Sequence, residues 1–133
     1  MKNYQGNIIE ESLEDKSVLK GLKILSTEVE KVTLEHHTPH LKQWTLHTVE
    51  IENTKADEIA KLLSKSLKNK PPHDNWYADF KNNTTHWIIF KNKVFKIDRT
   101  SKDQYDKATK YGISVGIPKH QVDFAPEVKV WQR

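Results

Sequence analysis

Cysteine is missing from this chain of 133 residues. Its absence excludes disulfide bonds, thiolate metal sites, dithiol redox chemistry and a cysteine nucleophile. The sequence also contains no run of about 18 apolar residues, so it predicts no membrane-spanning helix and no membrane partner. Because residues 1–6 lack an apolar signal segment, we expect a cytoplasmic protein.

Glycine is scarce as well, with only Gly6, Gly21, Gly112 and Gly116 in the chain. These four residues form neither the GxxxxGK phosphate loop nor the GxGxxG dinucleotide-binding turn, and we therefore expect no cofactor. Gly112 to Gly116 do match GxSxG, the nucleophile elbow of serine hydrolases. An elbow needs a strand before the serine and a helix after it, whereas here Gly112 ends a predicted helix, so we interpret the match as accidental.

Arginine occurs only twice, although 22 basic residues outnumber 18 acidic ones and give a net charge of +4. Arginine is the residue that most often reads bases and binds phosphates in a bidentate manner. The excess positive charge comes instead from lysines spread over residues 61–96. We interpret these lysines as a solvated face, which disfavours nucleic acid as a partner.

Length and hydrophobic spacing predict one α+β domain over residues 1–133, with a mainly antiparallel sheet and two helices. The first helix covers residues 55–68, and the second is capped by Ser101 and ended by Gly112. The order of elements loosely resembles a ferredoxin-like core of split βαβ units with extra N-terminal strands. The domain divides into N-terminal strands and a loop (1–42), a β-α-β-β-β-α core (43–125) and a tail (126–133). Strands are predicted over residues 7–13, 43–51, 75–81, 84–90 and 93–98.

The structure of residues 16–33 is ambiguous. Apolar residues recur at helical spacing from Val18 to Val32, whereas Gly21 and the β-branched residues favour extended structure. We expect a strand over residues 22–33, because the polar loop 35–42 would then return the chain into the strand 43–51. A helix is the alternative.

The three-stranded meander over residues 75–98 is apolar and aromatic on both faces. With two-residue turns, Asp79 lies opposite His86 and both belong to one face. Two helices usually cover only one face of a sheet, so we expect the other face to meet the N-terminal strands, a small-molecule ligand or a second copy of the chain. The candidate binding or interface residues are Tyr77, Trp87, Ile88, Phe90 and Phe95.

Asp79 and His86 are the pair with the form of an acid–base site. A carboxylate beside an imidazole fixes its tautomer and can raise its pKa, as a general base requires. His47, on the neighbouring strand, is a third candidate for the same wall. The alternative is a cross-strand ion pair that only stabilises the sheet.

His36, His37 and His40 form the densest histidine group. Imidazole binds transition metals, but adjacent histidines rarely point to one centre and a loop controls their geometry poorly. We therefore predict no metal site, with these three residues as the weak candidates.

These patterns favour a non-catalytic module that binds a small molecule or forms a homodimer through an aromatic sheet face. The alternative is a small enzyme that uses His86 oriented by Asp79. A third hypothesis is a weak binder of single-stranded nucleic acid that uses Trp87, Phe95 and the nearby lysines.

Overall fold

Six antiparallel strands form the central sheet. The structure, a computed structural model, describes residues 3–31, 43–70 and 74–117. The sheet has the strand order β2-β3-β1-β6-β7-β8, and β4 and β5 form a separate two-stranded ribbon. The strands are β1 (Tyr4–Ile9), β2 (Lys23–Lys31), β3 (Gln43–Ile51), β4 (Asn69–Lys70), β5 (Asp74–Asn75), β6 (Tyr77–Lys81), β7 (Thr85–Phe90) and β8 (Lys93–Asp98).

Two helices pack on this sheet, α1 (Ala56–Ser66) and α2 (Lys102–Ser114). The α+β class is confirmed. The ferredoxin-like detail is not: one split β-α-β unit is present, since β3 and β6 both run antiparallel to β1 between them, but α2 lies on the face opposite α1. No helix in the described part of the chain is long and apolar enough to cross a membrane.

Each helix covers one face of the β6-β7-β8 meander, which explains why both faces are apolar. The prediction that two helices would share a face was wrong. On the α1 side, the buried core includes Tyr4, Ile8, Val49, Ile59, Leu63, Phe80, Trp87 and Ile89. On the α2 side, it consists of Ile88, Phe90, Ile97, Tyr105, Ala108 and Ile117.

The first hairpin of the meander has a longer loop than predicted. Lys81 lies opposite His86 rather than Thr84, because the Asn82 side-chain oxygen accepts hydrogen bonds from the backbone N–H groups of Thr84 and Thr85. The register therefore moves by two residues. An even shift leaves every side chain on its predicted face, because side chains alternate along a strand.

The second hairpin has the predicted register, with Ile88 opposite Phe95 and His86 opposite Ile97. Its turn is formed by Lys91 and Asn92, and Asn92 has a φ of 60°. Asparagine adopts such a left-handed conformation more readily than most residues, so this turn was readable from the sequence.

Helix α2 begins as predicted and ends later. The Ser101 side chain accepts a hydrogen bond from the Gln104 N–H. Gly112 is a buried residue inside the helix, and Gly116, with a φ of 96°, is the residue that ends it. The N–H of Ile117 donates to the Gly112 carbonyl and the N–H of Gly116 to the Ile113 carbonyl, which is the Schellman arrangement.

The GxSxG match is therefore part of a helix terminus. Ser114 is the last residue of α2, and its hydroxyl donates a 2.6 Å hydrogen bond to the Tyr111 carbonyl. No strand precedes the serine within Lys102–Ser114, so the geometry of a nucleophile elbow is absent from this segment.

The ambiguous residues 16–33 contain both kinds of structure. A 3-10 helix covers Lys16–Gly21, and β2 covers Lys23–Lys31, in agreement with the preferred strand. The first strand is Tyr4–Ile9 rather than residues 7–13, since a 3-10 turn starts at Glu10. The predicted loop 35–42 and the tail 126–133 lie outside the described residues.

Strand β1 lies in the middle of the sheet, where Gly6 approaches the backbone of β6. A Cβ atom on Gly6 would lie 2.1 Å from the Asp79 carbonyl oxygen and 2.6 Å from the Phe80 Cβ. We expect Gly6→Ala to lower the free energy of unfolding by about 2–3 kcal/mol, because the β1–β6 pair would have to separate.

Gly21→Ala is the matched control, since nothing lies within 4 Å of a Cβ atom there. It should leave stability unchanged within about 0.5 kcal/mol or raise it slightly. Urea unfolding of both variants is the measurement. Equal stability of the two variants would contradict the described packing of β1 against β6.

Candidate functional site

Asp79 and His86 form the predicted pair, and the structure extends it to Tyr105. His86 Nε2 lies 2.7 Å from Asp79 Oδ2, and His86 Nδ1 lies 3.0 Å from the Tyr105 hydroxyl oxygen. The side chains of His86 and Tyr105 are fully buried, and that of Asp79 is 21 % exposed. The result is a hydrogen-bonded chain from the partly exposed Asp79, on a central strand, into the α2-side core.

Three elements bring this chain together. Asp79 on β6 lies opposite Ile88, and His86 on β7 lies opposite Lys81, so the two side chains are diagonal neighbours on one face. A diagonal pair is within reach of long side chains. Tyr105 comes one turn after the Ser101 cap of α2, which places its ring edge-on to the imidazole at 5.6 Å.

Arg99 interacts with Tyr105, at the α2 end of this hydrogen-bonded chain. Its backbone N–H donates to the Thr84 carbonyl, and its Nη1 donates a 2.6 Å hydrogen bond to the Asn82 carbonyl. Burial raises the pKa of the Tyr105 phenol above its ordinary value, although a hydrogen bond and the positive charge of Arg99 act in the opposite direction. Arg99 thus connects the 82–85 loop with the start of α2.

His86 and Tyr105, the two buried members of this hydrogen-bonded chain, are closed to solvent. Two open clefts flank the hydrogen-bonded chain among the described residues, one of about 360 Å³ beside Gln5, Lys81 and Arg99, and one of about 620 Å³ beside Thr85 and Arg99. Neither cleft is lined by Asp79, His86 or Tyr105. The groups can share protons with one another, but a substrate would have to displace α2 to reach the imidazole.

His47, the third predicted acid–base residue, lies on the opposite face of the sheet. It is adjacent to Ile8 of the α1-side core, and its Nε2 lies 3.1 Å from Glu10 Oε1. Its Nδ1 lies 2.8 Å from the Thr27 hydroxyl oxygen. The sheet separates His47 from His86, so the two histidines do not form the expected common site.

Glu11 supplies an interaction that the sequence analysis missed. Its carboxylate accepts hydrogen bonds from the Thr45 backbone N–H (2.6 Å) and hydroxyl (2.8 Å). Burial alone would raise the pKa of Glu11, but these hydrogen bonds outweigh it and the pKa is lowered. Together with the Glu10–His47 contact, this pair ties the 3-10 turn after β1 to β3.

Three of the five predicted binding or interface residues are core residues. Trp87, Ile88 and Phe90 are at most 4 % exposed. Tyr77 and Phe95 are half-buried and pack against the α2-side core, where the Phe95 ring contacts Tyr111 at 5.7 Å. A ligand or a second chain could reach Trp87, Ile88 or Phe90 only after one of the helices had moved.

The metal candidates His36, His37 and His40 lie outside the described residues. Within residues 3–31, 43–70 and 74–117, no group of three histidine or acidic side chains is arranged to hold a metal ion. Comparison with models of known protein families, with curated proteins and with solved structures found no match to this chain. Its function therefore has to be argued from its own geometry.

The outer strand β2 carries the apolar surface that the helices leave uncovered. All nine residues of Lys23–Lys31 are exposed, and they include Ile24, Leu25 and Val29 at 43 %, 45 % and 60 % exposure. Among the described residues, β2 pairs with β3 along one edge of the sheet. Scattered apolar residues on a surface are ordinary, but three on one edge strand indicate a contact.

The hydrogen-bonded chain of Asp79, His86 and Tyr105 should stabilise the folded protein. We expect His86→Ala to lower the free energy of unfolding by about 2–3 kcal/mol, because it leaves Asp79 and Tyr105 without their imidazole partner and opens a cavity. Asp79→Asn, which keeps the shape of the partly exposed end, should cost less. Chemical unfolding measures both, and a His86→Ala variant with unchanged stability would favour the acid–base hypothesis.

Stability should also depend on the ionisation of Tyr105. Because the pKa of this phenol is raised on folding, its contribution is fully present below the unfolded pKa of about 10 and is lost as the pH rises through the folded value. Tyr105→Phe removes the titration. We expect the stability of the unmodified chain to fall more steeply between about pH 10 and 11 than that of Tyr105→Phe, as measured by urea unfolding. Parallel curves would contradict the burial of this hydroxyl.

Proposed function

We propose that this protein is a non-catalytic module that associates with a second copy of itself through the outer strand β2. The observation that carries the proposal is the exposure of all nine residues of that strand, with Ile24, Leu25 and Val29 among them. An outer strand with exposed apolar side chains is a template for the addition of another strand. The aromatic sheet face, which the sequence suggested for this role, is covered by α1 and α2.

The charges on β2 support a second copy as the partner. The strand carries Lys23 and Lys31 at its ends and Glu28 and Glu30 beside its apolar residues. A strand with both signs of charge can pair with itself when the copies run antiparallel, because lysine of one copy then meets glutamate of the other. Since one strand pair is small compared with a standard stable interface, we propose a concentration-dependent dimer.

The enzyme and nucleic-acid hypotheses have less support. His86 is completely buried and lines neither of the two flanking clefts, so an acid–base role would require α2 to move. Stacking of bases would need an exposed aromatic ring, whereas Trp87 is buried in the α1-side core. Binding of a small molecule at the aromatic face would likewise require the core to open.

The oligomeric state tests the proposal. We expect the unmodified chain to form a dimer at micromolar or higher concentration, and Val29→Lys to shift it to monomer by placing a charge in the strand pair. Native mass spectrometry, with sedimentation velocity over a concentration series, is the measurement. The same spectra would reveal a retained small molecule.

Leu62→Lys is the matched control, because Leu62 is 45 % exposed on helix α1, away from β2. It introduces the same charge and should leave the dimer intact. A chain that is monomeric at every concentration would reject self-association. A dimer that both variants disrupt equally would place the contact elsewhere.

A further inference from the structure

We infer that the two β2 strands pair antiparallel about a twofold axis at Thr27, with Ile24 of each copy opposite Val29 of the other. This inference rests on the proposed self-association and specifies its register. It would join the two sheets into one continuous twelve-stranded sheet. The register follows from the side of the sheet on which each β2 side chain lies.

A β-bulge in β2 decides these sides. Ile24 lies opposite Val49 and Val29 lies opposite Thr45 on β3, but the register shifts by one residue between Ile24 and Ser26. Positions 24 and 29 differ by an odd number and would lie on opposite sides of a regular strand. The extra residue brings Ile24 onto the α1 side with Val29, so the bulge gathers two apolar side chains on one side.

Opposed residues of an antiparallel pair lie on the same side of the sheet. The inferred register satisfies this condition for Ile24 with Val29, and also for Lys23 with Glu30, which both lie on the other side. Between these pairs, Ser26 lies opposite Glu28 and Thr27 opposite its own copy, while the bulge residue Leu25 has no opposed residue. Lys23 already lies 3.6 Å from Glu50 of its own chain, so a glutamate from the second copy would extend an existing charge pair.

The neighbouring register, centred on Glu28, fits less well. It would place Ile24 opposite Lys31 and Glu28 opposite its own copy, and like charges directly opposite each other are destabilising. The inferred register matches apolar residues with apolar residues and lysine with glutamate.

Two complementary variants test the register. In Ile24→Lys and in Val29→Glu, each homodimer places a charge opposite an apolar residue at two symmetric positions. We expect the dissociation constant of each to rise by about tenfold or more. When the two variants are mixed, the lysine introduced by Ile24→Lys in one chain meets the glutamate introduced by Val29→Glu in the other, and the second position keeps its original Ile–Val pair. Native mass spectrometry should therefore detect the heterodimer in large excess over both homodimers.

Each outcome separates the register from the proposed function. A statistical mixture with no preference for the heterodimer would overturn the register while the unmodified chain still dimerises. An unmodified chain that never dimerises would reject the proposed function itself.

Discussion

The hydrogen-bonded chain from Asp79 through His86 to Tyr105 decides on which face of the sheet helix α2 lies. A buried imidazole needs partners for both ring nitrogens, and β6 supplies only one of them. The second partner is a hydroxyl on α2, so α2 has to cover the face that carries His86. Once it does so, Ile88, Phe90 and Ile97 are buried with it, and the aromatic face is no longer available to a ligand or a second chain.

Coverage of the sheet is uneven as a consequence. The β6-β7-β8 half has a helix on each face, whereas the α2-side face of β1 and β3 carries the polar residues Gln5, Asn7, Thr48 and Glu50, followed by Ile9 and Leu46. An antiparallel sheet can keep one face in water when its side chains alternate in this way. The outer strand β2 lies farthest from both helices. It carries three of the five large apolar side chains that are exposed among the described residues.

The faces of the meander could be predicted from the sequence, and its first turn could not. Side chains alternate strictly along a strand, so an error of two residues in the register does not change the face on which each side chain lies. Trp87 and Ile89 therefore lie on one face and His86 and Ile88 on the other, as predicted. The turn itself depends on hydrogen bonds from the backbone N–H groups of Thr84 and Thr85 to the Asn82 side chain. Residue preferences alone do not distinguish this longer turn from a two-residue turn. The Asp79–His86 contact was found only because a diagonal pair can replace a directly opposed one. Tyr105 was missed, since its position over His86 depends on which face α2 covers.

The 3-10 helix Lys16–Gly21 and the bulge in β2 together account for the ambiguity of residues 16–33. The extra residue of the bulge breaks the period-two alternation that marks a strand, so the apolar spacing of the helical turn continues into β2. Bulges at sheet edges usually discourage the addition of further strands. Here the same irregularity places Ile24 on the same side as Val29, with Thr27 between them, so both apolar side chains face one side of the edge. A lysine at each end of the strand opposes pairing in most registers, and it permits the one in which each Lys23 meets a glutamate. The edge is thus selective for a partner of matching pattern, and the chain itself has that pattern.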